Sequence, residues 1–219
     1  MQLEALRMAY EEIKRGSDTV SFSDVVSKID GRLGPDYGLD HVWIKSEDLR
    51  AEKKKNRLEN DLNPYMKNYT IKESIRMGFT EFGDFYYSRG QLSDSLKSYS
   101  RTCDYSSTSN HIIHMCLNVI LVSIEMSQFV HVTTYANKAK QIQDALDPIT
   151  MSKLCCALGL AHLEAKRYKL AARMFLEVGQ ELTNHYMEVI APQDVATYGG
   201  LCALASFERA ELKANMINS

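Results

Sequence analysis

The sequence predicts an all-α fold, in which antiparallel helix pairs stack as a tetratricopeptide-like superhelix, an α-solenoid. Residues 76–109 hold two amphipathic segments at helical spacing, and Gly83 lies among bulky residues, as in helix pairs that approach at a small residue. The pattern recurs, because Ile120 and Gly159 take the equivalent position at intervals of 37 and 39 residues. Only 4 prolines and 11 glycines occur in 219 residues, which also favours helices.

Residues 1–33 are predicted to form an N-terminal helical hairpin. The first helix carries apolar residues at helical spacing, namely Leu3, Leu6, Tyr10 and Ile13. Gly16 is expected to end it, because glycine readily adopts the left-handed conformation found after many helices. A second helix, capped by Ser21 or Ser23, is expected to end at Gly31.

Residues 34–69 are predicted to form a turn followed by a long charged helix. The turn contains glycine, proline and aspartate, and the helix has a narrow apolar stripe among mixed charges. A basic cluster in this helix is a candidate partner-binding site; its members are Lys53, Lys54, Lys55 and Arg57. The cluster can bind an acidic partner, but a solvated helix face is the simpler interpretation because acids flank it on both sides.

Residues 70–191 are predicted to hold the tetratricopeptide-like repeats. In the third pair Gly159 stands where Gly83 stands in the first, and Ala171 faces it from the second helix. Gly83, Gly159 and Ala171 are therefore the positions at which paired helices are expected to touch.

The middle pair is predicted over residues 111–126 and 129–146. Its first helix is apolar nearly all round, which is typical of a helix buried between layers. Residues 192–219 are predicted to begin a further helical module, with one helix from Pro192 and another from Phe207. The apolar pattern is unfinished at the last residue, so the chain is expected to be a fragment of a longer protein.

A concave groove is the second candidate partner-binding site, because the first helix of each pair lines the inner surface of such arrays. Its apolar members, the groove set, are Leu117, Leu121, Ile124, Leu160 and Leu163. An apolar groove must be covered by the chain's own helices or by a partner, and the sequence leaves both open. Capture of a peptide's terminal carboxylate is not expected, since Asp84 in the groove would repel it.

No catalytic, cofactor-binding or metal site is predicted. His111 and His114 can share a helical face, but only Cys116 is close to them in sequence, so a metal site is not expected. The five cysteines are scattered through apolar helical segments, which favours reduced, buried thiols.

The net charge of −2 gives no bulk attraction to nucleic acid or to an anionic membrane. A membrane span is not expected either, because the most apolar run is shorter than the roughly 20 residues required.

Several blocks of the sequence together resemble one protein family. They are residues 71–78, 83–86, 89–90, 96–105, 114–120 and 192–204. The family is that of subunit one of the COP-nine (constitutive photomorphogenesis) signalosome. The family of regulatory particle non-ATPase subunit seven of the proteasome lid, also of the PCI type, is a more distant match. The resemblance covers roughly residues 70 to 205, and a plant member is expected.

The resemblance implies an amino-terminal helical-repeat arm, with residues 192–219 leading toward a winged-helix PCI module absent from this chain. It implies a non-catalytic scaffold that supports cullin deneddylation and regulates cullin-RING ubiquitin ligases, while the isopeptidase chemistry belongs to another subunit. The implied partners are other signalosome subunits and cullin-RING ligase components, in the nucleus and the cytoplasm, without a membrane.

The alternative is a peptide- or nucleic-acid-binding regulatory repeat module. Nucleic-acid binding requires a basic face, and 26 Lys and Arg residues stand against 28 Asp and Glu residues. Such a face would be local at most, so nucleic-acid binding is not expected.

Overall fold

The computed structural model describes residues 2–68, 71–142, 146–179, 182 and 186–214. In this part of the chain every regular element is helical and no strand occurs, so the predicted all-α class is confirmed. The chain divides into two compact units, Met1–Ser107 and Thr108–Ser219. Within the described ranges, none of the helices combines the length and apolar character needed to cross a bilayer.

The first unit contains five α-helices in its described residues, and each packs on the next. They are α1 (Gln2–Arg15), α2 (Thr19–Ile29), α3 (His41–Asn68), α4 (Lys72–Ser88) and α5 (Leu92–Arg101). A short 3-10 helix at Pro35–Tyr37 connects α2 to α3, and another at Thr102–Tyr105 follows α5. The long charged helix predicted from the sequence is α3, and the first repeat pair is α4 with α5.

α1 and α2 enclose a small, largely aromatic core. Tyr10, Phe22 and Ile29 are buried there. Phe22 also packs against Trp43 of α3, with ring centroids 4.8 Å apart. The tilted contact between these rings joins the N-terminal hairpin to the long helix, in a geometry that aromatic pairs prefer.

The start of α2 differs from the sequence-based prediction. Asp18 is the N-cap, and its carboxylate accepts hydrogen bonds from the backbone N–H groups of Val20 and Ser21 at 3.1 and 3.0 Å. The predicted caps Ser21 and Ser23 are wrong, because both residues lie inside the helix. A charged carboxylate at this position also interacts favourably with the helix dipole, an advantage that serine lacks.

α4 and α5 approach closely at Gly83. The Ser95 hydroxyl donates a hydrogen bond of 2.9 Å to the carbonyl oxygen of Gly83. A Cβ atom at Gly83 would lie 2.8 Å from Cζ of Tyr99 and still closer to two other ring atoms. The Tyr99 hydroxyl donates to Oδ1 of Asp84 at 2.5 Å, which holds the ring in place. Burial raises the pKa of Tyr99, so the phenol remains a donor.

The second unit contains six α-helices in its described residues. They are α6 (Ser109–Glu125), α7 (Phe129–Lys140), α8 (Pro148–Glu164), α9 (Tyr168–Leu176), α10 (Pro192–Ser206) and α11 (Arg209–Leu212). From α6 to α10, each helix packs on the next one along the chain. The pairs α6–α7 and α8–α9 are the second and third repeats predicted from the sequence.

The turns inside the three pairs share one backbone geometry. Gly90, Ser127 and Lys166 all have positive φ, at 68°, 57° and 58°. The N–H group of the next residue bonds in each case to a carbonyl five residues earlier, at 2.8–2.9 Å, which is the Schellman arrangement at a helix end. These turns are 37 and 39 residues apart, the same intervals that separate Gly83, Ile120 and Gly159 in the sequence.

Small residues allow three helices of the second unit to pack closely around Phe175 of α9. A Cβ atom at Gly159 of α8 would lie 2.6 Å from Cε1 of the Phe175 ring, and one at Gly199 of α10 would lie 3.0 Å from its Cβ. Ala171 and Ala172 of α9 are fully buried beside it. The close approach of α8, α9 and α10 therefore depends on residues with little or no side chain.

α7 is shorter than predicted. It ends at Lys140, whereas the sequence indicated a helix up to residue 146. The Ile142 N–H group bonds to the carbonyl oxygen of Ala139, three residues earlier, so a turn replaces the α-helical pattern. Residues 143–145 lie outside the described residues.

The last helix begins later than predicted. Phe207 was expected to start it, but its backbone is extended, with φ −86° and ψ 146°, and its side chain is buried with the Phe175 cluster. Glu208 then caps α11 through a capping box with Glu211. The predicted end of this helix, near residue 216, lies outside the described residues.

Candidate functional site

The basic cluster lies on the surface of the first unit. All four of its side chains are exposed, those of Lys53, Lys54, Lys55 and Arg57. Because successive residues of a helix point about 100° apart, they do not form a single patch. Lys55 approaches Glu59 of its own helix at 4.0 Å, a weak surface pair. The Lys54 ammonium group instead lies 5.9 Å from the ring centroid of Phe85 on α4.

An open cavity of about 480 Å³, the α3 cavity, lies beside Lys54. Its walls come from the turn after α1, from one face of α3 and from the end of α4. The charged lining residues are Arg15, Glu47, Arg50, Lys54 and Arg89. Phe85 and Ala51 supply an apolar part of the wall. The sequence singled out Lys54 only, so the cavity adds basic residues that are distant from it along the chain.

Arg89 joins the three walls of the α3 cavity. Its guanidinium donates to the carbonyl oxygen of Ser17 at 2.7 Å, to Oδ1 of Asp48 at 2.7 Å and to Oγ1 of Thr19 at 3.1 Å. The Arg89 side chain is only 13% exposed, but the Asp48 side chain is 49% exposed, so solvent still screens part of this ion pair. The Arg89 guanidinium holds the pKa of Asp48 below its usual range.

Sequence reasoning missed this network because Asp48 and Ser17 are 41 and 72 residues from Arg89. The only signal was the position of Arg89 at a hairpin turn, beside Gly90. A Cβ atom at Gly90 would collide with the carboxylate of Asp18, so this turn also contacts the N-terminal hairpin.

The groove set lies in the second unit. Leu117, Leu121 and Ile124 are half-buried on α6. Leu160 and Leu163 are half-buried on α8 and pack against the core cluster that contains Phe175. The chain's own helices therefore cover part of the surface of these two leucines, and the role of the groove set in binding a partner stays a prediction.

Four of the five cysteines are buried, in agreement with the sequence-based prediction. Cys116, Cys155, Cys156 and Cys202 are buried, and Cys103 is half-buried. Burial raises the pKa of Cys155, and it raises the pKa of Cys156 to about 12. The thiolate is the nucleophilic form, so neither residue is suited to covalent catalysis at neutral pH. Among the described residues, no group of three or more His, Cys, Asp or Glu side chains is placed to hold a metal ion.

The sequence is similar to those of several known proteins. The family described as 26S proteasome subunit RPN7 matches residues 40–215. COP9 signalosome complex subunit 1 of Arabidopsis thaliana is 61% identical over 219 residues, which are the whole of this chain and 49% of that protein. COP9 signalosome complex subunit 1b of Drosophila melanogaster is 41% identical over 189 residues, covering 84% of this chain and 36% of the relative.

A fungal relative extends the comparison. COP9 signalosome complex subunit 1 of Emericella nidulans is 32% identical over 223 residues, covering 100% of this chain and 45% of the relative. The resemblance inferred from the sequence blocks is thereby confirmed. This chain spans about half the length, or less, of these curated relatives.

Proposed function

This chain belongs to the 26S proteasome subunit RPN7 family, and on that premise we propose that it is part of subunit one of a COP9 signalosome. The observation that carries the proposal is the 61% identity to the Arabidopsis subunit, which extends over all 219 residues. The N-terminal hairpin lies before the family match at residue 40 but inside this longer alignment.

The proposed role is that of a non-catalytic scaffold. The chain would hold other signalosome subunits, and components of cullin-RING ubiquitin ligases, so that the assembled complex can remove the ubiquitin-like modifier from cullins. The helix pairs support this role, because repeats of this kind present extended surfaces to other proteins. Burial raises the pKa of Cys155 and Cys156, which argues against a nucleophilic role for these two thiols. The proposed location is the nucleus and the cytoplasm.

Reconstitution tests the proposal. The full-length protein that contains this chain would be co-expressed with the remaining signalosome subunits and purified through a tag on one of them. We expect it to co-purify in stoichiometric amount, and we expect the complex without it to remove the modifier from a cullin more slowly. Failure to co-purify would overturn the assignment to the signalosome, and modifier removal by the purified chain alone would overturn the non-catalytic role.

The basic cluster provides a sharper version of the same experiment. Combined reversal of Lys53, Lys54, Lys55 and Arg57 to glutamate is expected to weaken co-purification, because surface charges steer and orient association. Helical content by circular dichroism should stay unchanged, since all four side chains are exposed. Lys45→Glu on the same helix is the control, and unaltered assembly after the combined reversal would refute the assignment of these residues.

A further inference from the structure

We propose that the α3 cavity binds an acidic segment of a partner protein. Carboxylates of that segment would pair with Arg15 and Lys54 at the rim, and an apolar side chain would pack on Phe85. The inference rests on the proposed function, because it names the kind of partner segment and the place where a scaffold of this type receives it.

The cavity has the size and the rigidity of a binding site. Its volume of about 480 Å³ lies within the range of about 300–1,000 Å³ found for pockets that bind ligands. Arg89 bonds to Ser17 and to Asp48, so the turn after α1, helix α3 and the end of α4 are held together before any ligand arrives. A site that is already in place avoids part of the ordering cost of association.

The charges of the lining favour an anion. Four lining residues are basic, Arg15, Arg50, Lys54 and Arg89, and Glu47 is acidic. The Glu47 side chain is only 9% exposed and accepts a hydrogen bond from Arg50 at 2.6 Å, so its charge is compensated within the wall. Arg89 is similarly committed to Asp48.

Two basic groups remain accessible at the rim. The Arg15 side chain is 74% exposed, and its pair with Glu12 at 2.9 Å is a solvent-screened surface contact that a second carboxylate can join or replace. A guanidinium has five N–H donors, so one partner does not saturate it. Lys54 is also exposed and lines the same cavity. Together these groups can hold two carboxylates of one segment.

The apolar wall accommodates a protein side chain, and the charge balance of the chain disfavours a nucleic acid. Half-buried Ala51 and the small exposed part of Phe85, which is 5% exposed, line the cavity. A side chain such as leucine or phenylalanine can pack there while its acidic neighbours pair with the basic groups. A nucleic acid carries a negative charge at every phosphate, so its binding depends on a basic surface larger than this cavity. It would also meet Glu12 and the acids around the basic cluster, and the chain has a net charge of −2.

Fluorescence anisotropy with the 219-residue chain tests the site. The probe is a fluorescein-labelled short peptide that is rich in glutamate and carries a central phenylalanine, and a peptide with glutamine for glutamate is its control. Lys54→Glu and Arg15→Glu should each weaken binding of the acidic peptide about tenfold at low ionic strength. Arg50 is not changed, because its loss would leave the buried Glu47 carboxylate unpaired.

Lys45→Glu is the matched control, because this exposed residue gives the same change in net charge on the same helix but belongs neither to the basic cluster nor to the cavity lining. Its binding should stay within about twofold of the wild type. Ala51→Leu gives a second test without a change of charge, since the larger side chain fills the cavity and should also weaken binding. Thermal unfolding followed by circular dichroism establishes that each variant is folded.

Several results would overturn the inference. They are failure of the folded wild-type chain to bind the acidic peptide, equal loss of affinity in Lys45→Glu and Lys54→Glu, and equally tight binding of a single-stranded oligonucleotide of the same charge. In the reconstituted complex, a carbodiimide that couples lysines to touching carboxylates should join Lys54 to another subunit. A complex that assembles without this crosslink overturns the cavity site and leaves the scaffold role standing, whereas failure of assembly overturns the scaffold role instead.

Discussion

Replacing Gly83 with alanine places one methyl group in the closest contact between α4 and α5. The new Cβ would lie 2.8 Å from Cζ of Tyr99 and nearer to two other ring atoms, whereas real Cβ contacts are essentially never below 3.0 Å. The ring cannot swing away easily, because Tyr99 is 3% exposed and its hydroxyl is bonded to Asp84. The helices must therefore separate, or the buried ring must leave its rotamer.

The expected net cost is about 2 kcal/mol of unfolding free energy. Overpacking of a well-packed site costs about 1–3 kcal/mol, and the geometry at Gly83 places it at the upper end. Alanine in place of a helical glycine offsets about 1 kcal/mol of this through helix propensity. Because overpacking is the larger of the two effects, Gly83→Ala is destabilising.

Urea unfolding followed by circular dichroism measures the effect. The loss of stability should lower the urea concentration at the midpoint of unfolding and leave the dependence of the unfolding free energy on urea unchanged. Gly78→Ala on the same helix is the control, since its Cβ would meet only the flexible end of the Leu62 side chain. That variant should be neutral, or more stable by up to about 1 kcal/mol. In a Tyr99→Leu background Gly83→Ala should also become neutral or stabilising. Equal stability of Gly83→Ala and wild type, or persistence of the cost without the ring, would refute the reasoning.

Three further predictions follow from the same packing and turns. Ala171→Leu should lower the unfolding free energy by about 1–3 kcal/mol, because the site is fully buried, and an unchanged melting temperature would contradict this. Asp48→Asn should make the loss of stability in acid less steep. Arg89 lowers the pKa of Asp48 in the folded state, so the ion pair stabilises the fold fully above the ordinary aspartate pKa of about 4. That stabilisation is lost as the pH falls through the lower pKa of the folded state. A pH titration of thermal unfolding compares the two proteins, and parallel curves would count against the pair. Lys166→Gly should raise the unfolding free energy by up to about 1 kcal/mol, since a non-glycine residue with φ 58° is strained. Gly90→Ala should lower the unfolding free energy for the same reason. Equilibrium unfolding in urea measures whether each variant is more or less stable than the wild type.

The repeats were predictable because their signals are local. Apolar residues at helical spacing mark one face of a helix, and the recurrence of Gly83 at Gly159 sets the interval between pairs. The structure places the three left-handed turns at the same intervals, although Ser127 and Lys166 stand where the first pair has glycine. Turn composition alone would have missed two of the three turns.

The α3 cavity was only partly predictable. Lys54 belongs to the basic cluster that was chosen for its charge, but its neighbours in the chain point elsewhere around the helix. Arg15 is the last residue of α1 and Arg89 lies in the turn after α4, and sequence reasoning had assigned neither residue a role. These basic residues meet at one cavity because of the face that α3 turns toward the cavity and because of the hydrogen bonds of Arg89. Neither feature produces a periodic pattern in the sequence.

The sequence by itself determined the helical class, the pairing of successive helices and the interval between pairs, because apolar spacing and short turns act between residues that are near one another in the chain. Only the tertiary structure decided which basic residues share a cavity, and that Gly83 and Gly159 meet the rings of Tyr99 and Phe175. Those outcomes depend on how many side chains pack at the same time across different helices, and no single stretch of sequence contains that information.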